Sequence, residues 1–147
     1  MVAIPSSIQA RRVLVDSSAY LALLDGSDEH HVQAQQLLSQ LTQHRYRQYT
    51  TNAMLFECHA LVMSSLGIGP AFQFVQALRA SNTVIVRVRQ SDEERAIQIL
   101  GQYTDKDFSF NDALSFVVME RLSISTSFTF DHHFAQYGFA PITPELA

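Results

Sequence analysis

The sequence predicts an α/β domain built on a mostly parallel central sheet, and two observations carry that expectation. Short apolar, β-branched runs alternate with stretches of helical periodicity along the whole chain. The 147 residues are 47% apolar and only 16% charged, which suits a folded core and excludes a disordered chain. A length of roughly 100–200 residues is that of one domain, able to bury about two-thirds of its unfolded surface without staples. Residues 1–11 read as a short N-terminal extension and residues 12–147 as the domain.

The elements follow in order. Val13-Leu14-Val15 is a buried strand that ends in Asp16. Ser17 and Ser18 open an apolar helix that stops at Asp25-Gly26. A second helix is expected from Asp28 to Gln43, with Val32, Leu37, Leu38 and Leu41 facing inward. Tyr46 to Thr50 is the second strand. Asn52 to Ser65 is helical and closed by Gly67, and Pro70 starts a helix reaching Arg79. Thr83 to Val88 is the third strand, and Ser91-Asp92-Glu93-Glu94 has the form of a capping box that starts a helix to Tyr103. A helix over Ser109–Arg121 precedes a strand over Thr126–Phe130, a short turn or helix at Asp131–Tyr137, and a last strand at Ala140–Ile142.

Fourteen acids oppose ten bases, for a net charge of −4, so a broad basic nucleic-acid-binding face is not expected. The lone Cys58 excludes a disulfide framework and a thiolate zinc site, and makes a reducing cytoplasm the default compartment. No apolar run approaches the roughly 18 residues of a membrane span. The opening MVAIPSSIQARR lacks the apolar core of a secretory signal.

Four carboxylates stand in unusual places. Asp16 and Asp131 each follow a strand, where ligands of open parallel sheets bind; the bland alternative for each is a helix N-cap. Glu57 lies on a helix that is otherwise apolar from Ala53 to Met63, sharing a face with Met54 and Leu61. Burying that carboxylate requires a compensating cation, metal or proton, or an ion pair with an arginine. Asp112 begins an apolar helix, where the macrodipole alone also favours an acid, and Asp105 and Asp107 lie just upstream. Convergent carboxylates are what Mg²⁺ or Mn²⁺ take as ligands. Such ions activate water and stabilise the leaving oxygen in phosphoryl displacement.

Val15-Asp16-Ser17-Ser18, Glu57, Phe108-Ser109-Phe110-Asn111-Asp112-Ala113 and Phe128-Thr129-Phe130-Asp131-His132-His133-Phe134 resemble, in this order and spacing, the PIN-domain family. Within it they resemble the toxin ribonucleases of the VapC type, over about Arg12 to Phe139. The resemblance implies a three-layer domain with a five-stranded parallel sheet and helices on both faces. It also implies an endoribonuclease dependent on Mg²⁺ or Mn²⁺, with one or two ions. Asp16, Glu57, Asp112 and Asp131 would be the catalytic, metal-holding quartet. Ser18 and Thr129 would orient metal waters or substrate phosphate, and Asp107 would stand in reserve for Asp112. Asn111 departs from the threonine common in the family, and the fourth acid is the family's most variable. A metal-activated water would cleave RNA to a 5′-phosphate and a 3′-hydroxyl. The resemblance further implies a homodimer and a small antitoxin partner; apolar helices at Tyr20–Leu24 and Pro70–Leu78 supply surface for partners, and the lack of a long apolar run leaves no membrane association expected.

Arg121, Lys106 and Arg45 are candidate RNA contacts. His30-His31 read as a solvated face, His59 as a partly buried helix residue, and at most one of His132 and His133 can approach substrate. A stand-alone PIN ribonuclease of RNA processing shares this chemistry. From another class, a non-catalytic α/β binding or signalling module competes, but a phospho-receiver lacks its acid pair and strand-end lysine here. A haloacid-dehalogenase-like phosphatase needs an Asp where Ser18 stands.

Overall fold

The structure is a computed structural model that describes residues 11–143; most of the expected N-terminal extension lies outside the described residues. The order is β1 (Arg12–Val15), α1 (Ser17–Leu24), α2 (His31–Gln43), β2 (Arg47–Thr51), α3 (Asn52–Leu66), α4 (Ile68–Ala80), β3 (Val84–Val86), α5 (Gln90–Gln102), α6 (Phe110–Leu122), β4 (Thr126–Phe128), α7 (His133–Tyr137) and β5 (Ala140–Pro141). The five strands form one sheet in the order β3-β2-β1-β4-β5, and every pairing is parallel.

Strand β1 is central because its side chains supply both layers. Val13 and Val15 pack into a core made with α1, α2, α3 and α4. Leu14 points the other way, into a core made with α5, α6 and α7. The α6 helix is buried over seven consecutive residues, Ala113 to Met119, as expected of a helix flanked on all sides. The chain runs outward from β1 to β3, then returns to β4 and β5 on the other side. The strand order therefore reverses between β1 and β4, which opens a crevice at their carboxyl ends.

Several expected boundaries shift, each for a local reason. The second helix begins at His31 rather than Asp28 because Asp25 and Asp28 are spent on turns: Ser27 N–H donates to Asp25 and His30 N–H to Asp28. Val32 is 64% exposed, not inward. Strand β3 keeps only Val84–Val86, since Val88 N–H turns away to Asn52 Oδ1. The expected capping box is displaced by two residues. Arg89 is the N-cap, and Asp92, not Glu94, accepts its N–H at 2.9 Å. The α3 helix is not apolar because it is enclosed: Phe56, Leu61 and Met63 are exposed. No helix among the described residues is long and apolar enough to cross a membrane.

Candidate active site

Asp16 leaves β1 in extended conformation and is the N-cap of α1. The N-cap and ligand readings of this residue therefore do not compete. It is only 4% exposed, and its Oδ2 accepts from Ser18 N–H (3.3 Å), Ser18 O–H (2.7 Å) and Thr129 O–H (2.9 Å). Each hydroxyl then accepts in turn, Ser18 Oγ from Phe130 N–H and Thr129 Oγ1 from Asp131 N–H, at 2.9 and 3.0 Å. A hydroxyl has one proton to give, so both are committed to Asp16. The end of β4 is thereby fastened to the end of β1. This fastening also explains why β4 stops at Phe128: Thr129 and Phe130 leave the ladder to serve it. Asp16 Oδ1 takes no hydrogen bond from the described residues and is left for another partner.

Glu57 and Asp112 come from helices on opposite sides of the sheet. Glu57, half-buried on α3, accepts from Asn111 Nδ2 at 3.0 Å. Asn111 thus holds the second carboxylate, and the asparagine that departs from the family pattern has a defined contact. No arginine pairs with Glu57 among the described residues, so the ion-pair alternative is not what the structure shows. Asp112 completes a capping box with Ser109, accepting from its N–H while donating its own N–H to Ser109 Oγ, both at 3.0 Å. Its side chain is 14% exposed. Burial, reinforced by the charges of Asp16 and Asp131, pushes its pKa up against the hydrogen bond from Ser109 and the charge of His133.

His133 is the residue that sequence reasoning did not place in the site. Its Nδ1 lies 3.0 Å from Asp112 Oδ2 and 3.1 Å from Asp131 Oδ1, and its Nε2 lies 3.0 Å from Asp107 Oδ1. The ring packs edge-on against buried Phe108. Burial alone would lower its pKa, but the Asp107 hydrogen bond and the charges of Asp112, Asp131 and Asp107 outweigh it, leaving the net shift upward. His132 is 72% exposed, so one histidine of the pair enters, as helical divergence requires. Asp107 is 87% exposed and reaches the cluster only through His133; the buried position belongs to Asp112.

The expected cationic residues fare differently. Arg121 is not available to RNA at this crevice. It sits at the far end of α6 and forms a two-pronged ion pair with buried Asp92, Nε to Oδ1 at 3.0 Å and Nη2 to Oδ2 at 2.8 Å. Arg45 precedes β2, at the opposite end of the sheet from the crevice, and lines an apolar groove there. Lys106 stays in the loop before α6, paired with Asp105 at 3.0 Å. His31 is no solvated ligand either, since its ring bonds to Ala22 O at 2.7 Å. Cys58 is fully buried in the core.

The donor set fits a hard divalent cation. His133 Nδ1 is buried without a well-formed hydrogen bond, although two carboxylate oxygens stand within 3.1 Å of it. Asp16, Asp112 and Asp131 are close enough that the charges of Asp16 and Asp131 add to burial in raising the Asp112 pKa. Oxygen donors of this kind suit Mg²⁺ or Mn²⁺. Asp107, His132 and His133 also bring one ligand atom each within 4.8 Å of one another at the rim.

A doubly wound parallel sheet with an acidic crevice at its switch point defines a class of α/β domain suited to phosphoryl chemistry. The PIN domain family model matches residues 13–140, and the chain belongs to that family. The chain is similar to the 23S rRNA-specific endonuclease VapC20 of Mycobacterium tuberculosis, in two strains, with 31% identity over 134 residues, covering 90% of this chain and 99% of the relative. Among solved structures, the crystal structure of Mycobacterium tuberculosis VapC20, described as a sarcin-ricin loop cleaving toxin, matches with a TM-score of 0.81 at 29% identity. That match covers 87% of this chain and 96% of the other.

Proposed function

We propose that this chain is a metal-dependent endoribonuclease of the VapC toxin type, using Mg²⁺ or Mn²⁺. The observation that carries the reading is the fastening of Asp16 to Thr129 and Ser18, which brings two strand-end acids to one crevice. Asp16, Glu57, Asp112 and Asp131 are the residues that would hold one or two ions. Bound there, the ions would supply Lewis-acid stabilisation of the phosphodiester and a nucleophilic water at neutral pH.

The protein's own residues have separable tasks. Ser18 and Thr129 spend their protons on Asp16 Oδ2, which fixes the carboxylate with Oδ1 unbonded. Asn111 fixes Glu57 in the same way. The Ser109 box sets the rotamer of Asp112 at the start of α6. His133 bridges Asp112 and Asp131 and offsets part of their repulsion when the crevice holds no metal. Because the crevice is acidic, affinity for the polyanion depends on the ions, and a net charge of −4 is compatible with RNA as substrate.

An apolar surface supports the reading of the partners. A groove of about 1120 Å³ runs between α1, α2 and α4, lined by Tyr20, Leu23, Leu24, Phe74 and Leu78; Leu24 and Phe72 on these helices are exposed. It supports pairing with a second copy or with a small antitoxin, in the cytoplasm. Growth arrest on expression, relieved by a neighbouring short reading frame, separates a toxin from a stand-alone ribonuclease. RNA cleavage that proceeds in EDTA would contradict the metal-dependent reading.

A further inference from the structure

The acidic crevice opens into a recess of about 430 Å³, bordered by Ser18, Asp131 and the Asp107–His132–His133 cluster on one side and by His30, Phe130, Leu21 and Asp28 on the other. None of the last four residues has a part in holding a cation. The rings of His30 and Phe130 lie face to face, centroids 4.5 Å apart and planes within 2°. Phe130 is the inner member, packed on the core beneath, while the His30 side chain is 40% exposed. Both rings are held from the backbone. Phe130 N–H donates to Ser18 Oγ at 2.9 Å, the same hydroxyl that grips Asp16. His30 N–H donates to Asp28 Oδ1 at 2.8 Å.

An exposed ring stacked at the rim of an acidic crevice is a platform for another flat ring. Acidic neighbours, Asp28, Glu29 and Asp131, disfavour a second phosphate there, and a neutral planar ligand remains. Single-stranded RNA is recognised by stacking its bases on aromatic and histidine side chains. We propose that the His30–Phe130 pair is a nucleobase subsite, on which a base flanking the scissile phosphate stacks against the outer face of His30. The proposal rests on the ribonuclease reading for the placement of the phosphate. It assigns His30 to substrate positioning, not to the chemical step.

The test is RNA binding and cleavage by wild type, His30→Ala and His30→Phe. The probe is a set of single-stranded oligonucleotides carrying 2-aminopurine at one position at a time. Stacking is sequence-tolerant and sizeable, so His30→Ala should raise Kd and KM about tenfold, leave kcat within about twofold, and abolish fluorescence quenching at one position. His30→Phe should restore quenching and KM. An unchanged melting temperature for His30→Ala separates this from misfolding, and His30→Phe serves as the folded control if it is not. Wild-type quenching at one position without cleavage would support the subsite while overturning the ribonuclease reading. Cleavage with KM and quenching unaffected by His30→Ala, or a loss confined to kcat, would overturn the subsite and leave the ribonuclease reading standing. No binding and no cleavage by any of the proteins would overturn both.

Discussion

Replacing Arg121 by alanine isolates one buried carboxylate, and the structure sets the size of the effect. Asp92 is 2% exposed and receives two charge-assisted hydrogen bonds from the guanidinium, at 2.8 and 3.0 Å. Removing one partner of a buried pair costs about 3–5 kcal/mol. The Arg121 side chain is 23% exposed, so water can enter the vacated space, and the lower end, about 3 kcal/mol, applies. At roughly 2 cal/mol/K of unfolding entropy per residue, a chain of 147 residues loses about 10 °C in Tm. Asp92→Asn should cost less, because the amide still accepts from Arg89 N–H and the freed guanidinium can reach solvent. The pH dependence has a fixed sign. Despite the upward pull of burial, the hydrogen bonds and charges of Arg121 and Arg89 hold the Asp92 pKa below its ordinary 3.8. The pair's contribution is therefore present above that value and lost as pH falls through the lower, folded one. In Arg121→Ala the stability deficit should accordingly narrow below about pH 4. Urea unfolding of wild type, both single variants and the double variant measures the coupling directly. A loss under 0.5 kcal/mol for Arg121→Ala (about a sixth of the expected value) would refute the reasoning. RNA cleavage by this variant below its melting temperature should stay within about twofold of wild type, since the pair is remote from the crevice.

Glu57→Gln keeps the size of the side chain and its contact with Asn111 while removing a charge, so cleavage should fall by about 10²-fold or more with Tm unchanged or higher; a lower Tm would show that the carboxylate is structural. In EDTA the site should destabilise the protein as pH rises. The Asp112 and His133 pKa values lie above their ordinary 3.8 and 6.5, so their contributions are complete below those values and lost as pH climbs through the raised ones. Thermal melts between pH 6 and 8 should therefore decline in EDTA and flatten with Mg²⁺, whereas a Tm that climbs with pH in EDTA would contradict the assignment. The Cys58 thiol, pushed up by burial and by the charges of Asp16 and Glu57, should react with thiol reagents only as fast as the protein unfolds, as labelling against denaturant concentration would show.

The parts of the fold that were legible in the sequence are those set by neighbours along the chain. Val13-Leu14-Val15 carries a strand's shape and apolarity in three residues, and Gly67, with φ of 101°, closes α3 where no side chain would sit comfortably. Strand ends were not legible, because long-range contacts decide them. Thr129 leaves β4 for Asp16, 113 residues away, and Val88 leaves β3 for Asn52. The shifted capping box has the same origin. Ser91 and Glu94 satisfy the local pattern, but Asp92 has Arg121 to bury against.

The four acids stood out in the sequence because strand-end carboxylates and a lone Glu on an apolar helix are locally conspicuous. The structure links them through Ser18, Thr129, Asn111 and His133, whose roles depend on which segments meet. Of these, His133 was the least visible, since a His-His pair reads the same whether neither ring enters or one does. Arg121 failed as an RNA contact for the complementary reason: an arginine's partner lies across the fold, and nothing near it in sequence announces Asp92.

The central claim is tested most directly by cleavage of single-stranded RNA by wild type and Asp16→Asn, with Mg²⁺ or Mn²⁺ and with EDTA. Asparagine is as good an N-cap as aspartate, so the variant keeps the bonds to Ser18 and Thr129 and loses only the charge. Wild type should cleave only with the divalent ion, leaving 5′-phosphate and 3′-hydroxyl ends, and Asp16→Asn should be slower by about 10³-fold at an undiminished Tm. Cleavage by Asp16→Asn at the wild-type rate, or by wild type in EDTA, would contradict the account.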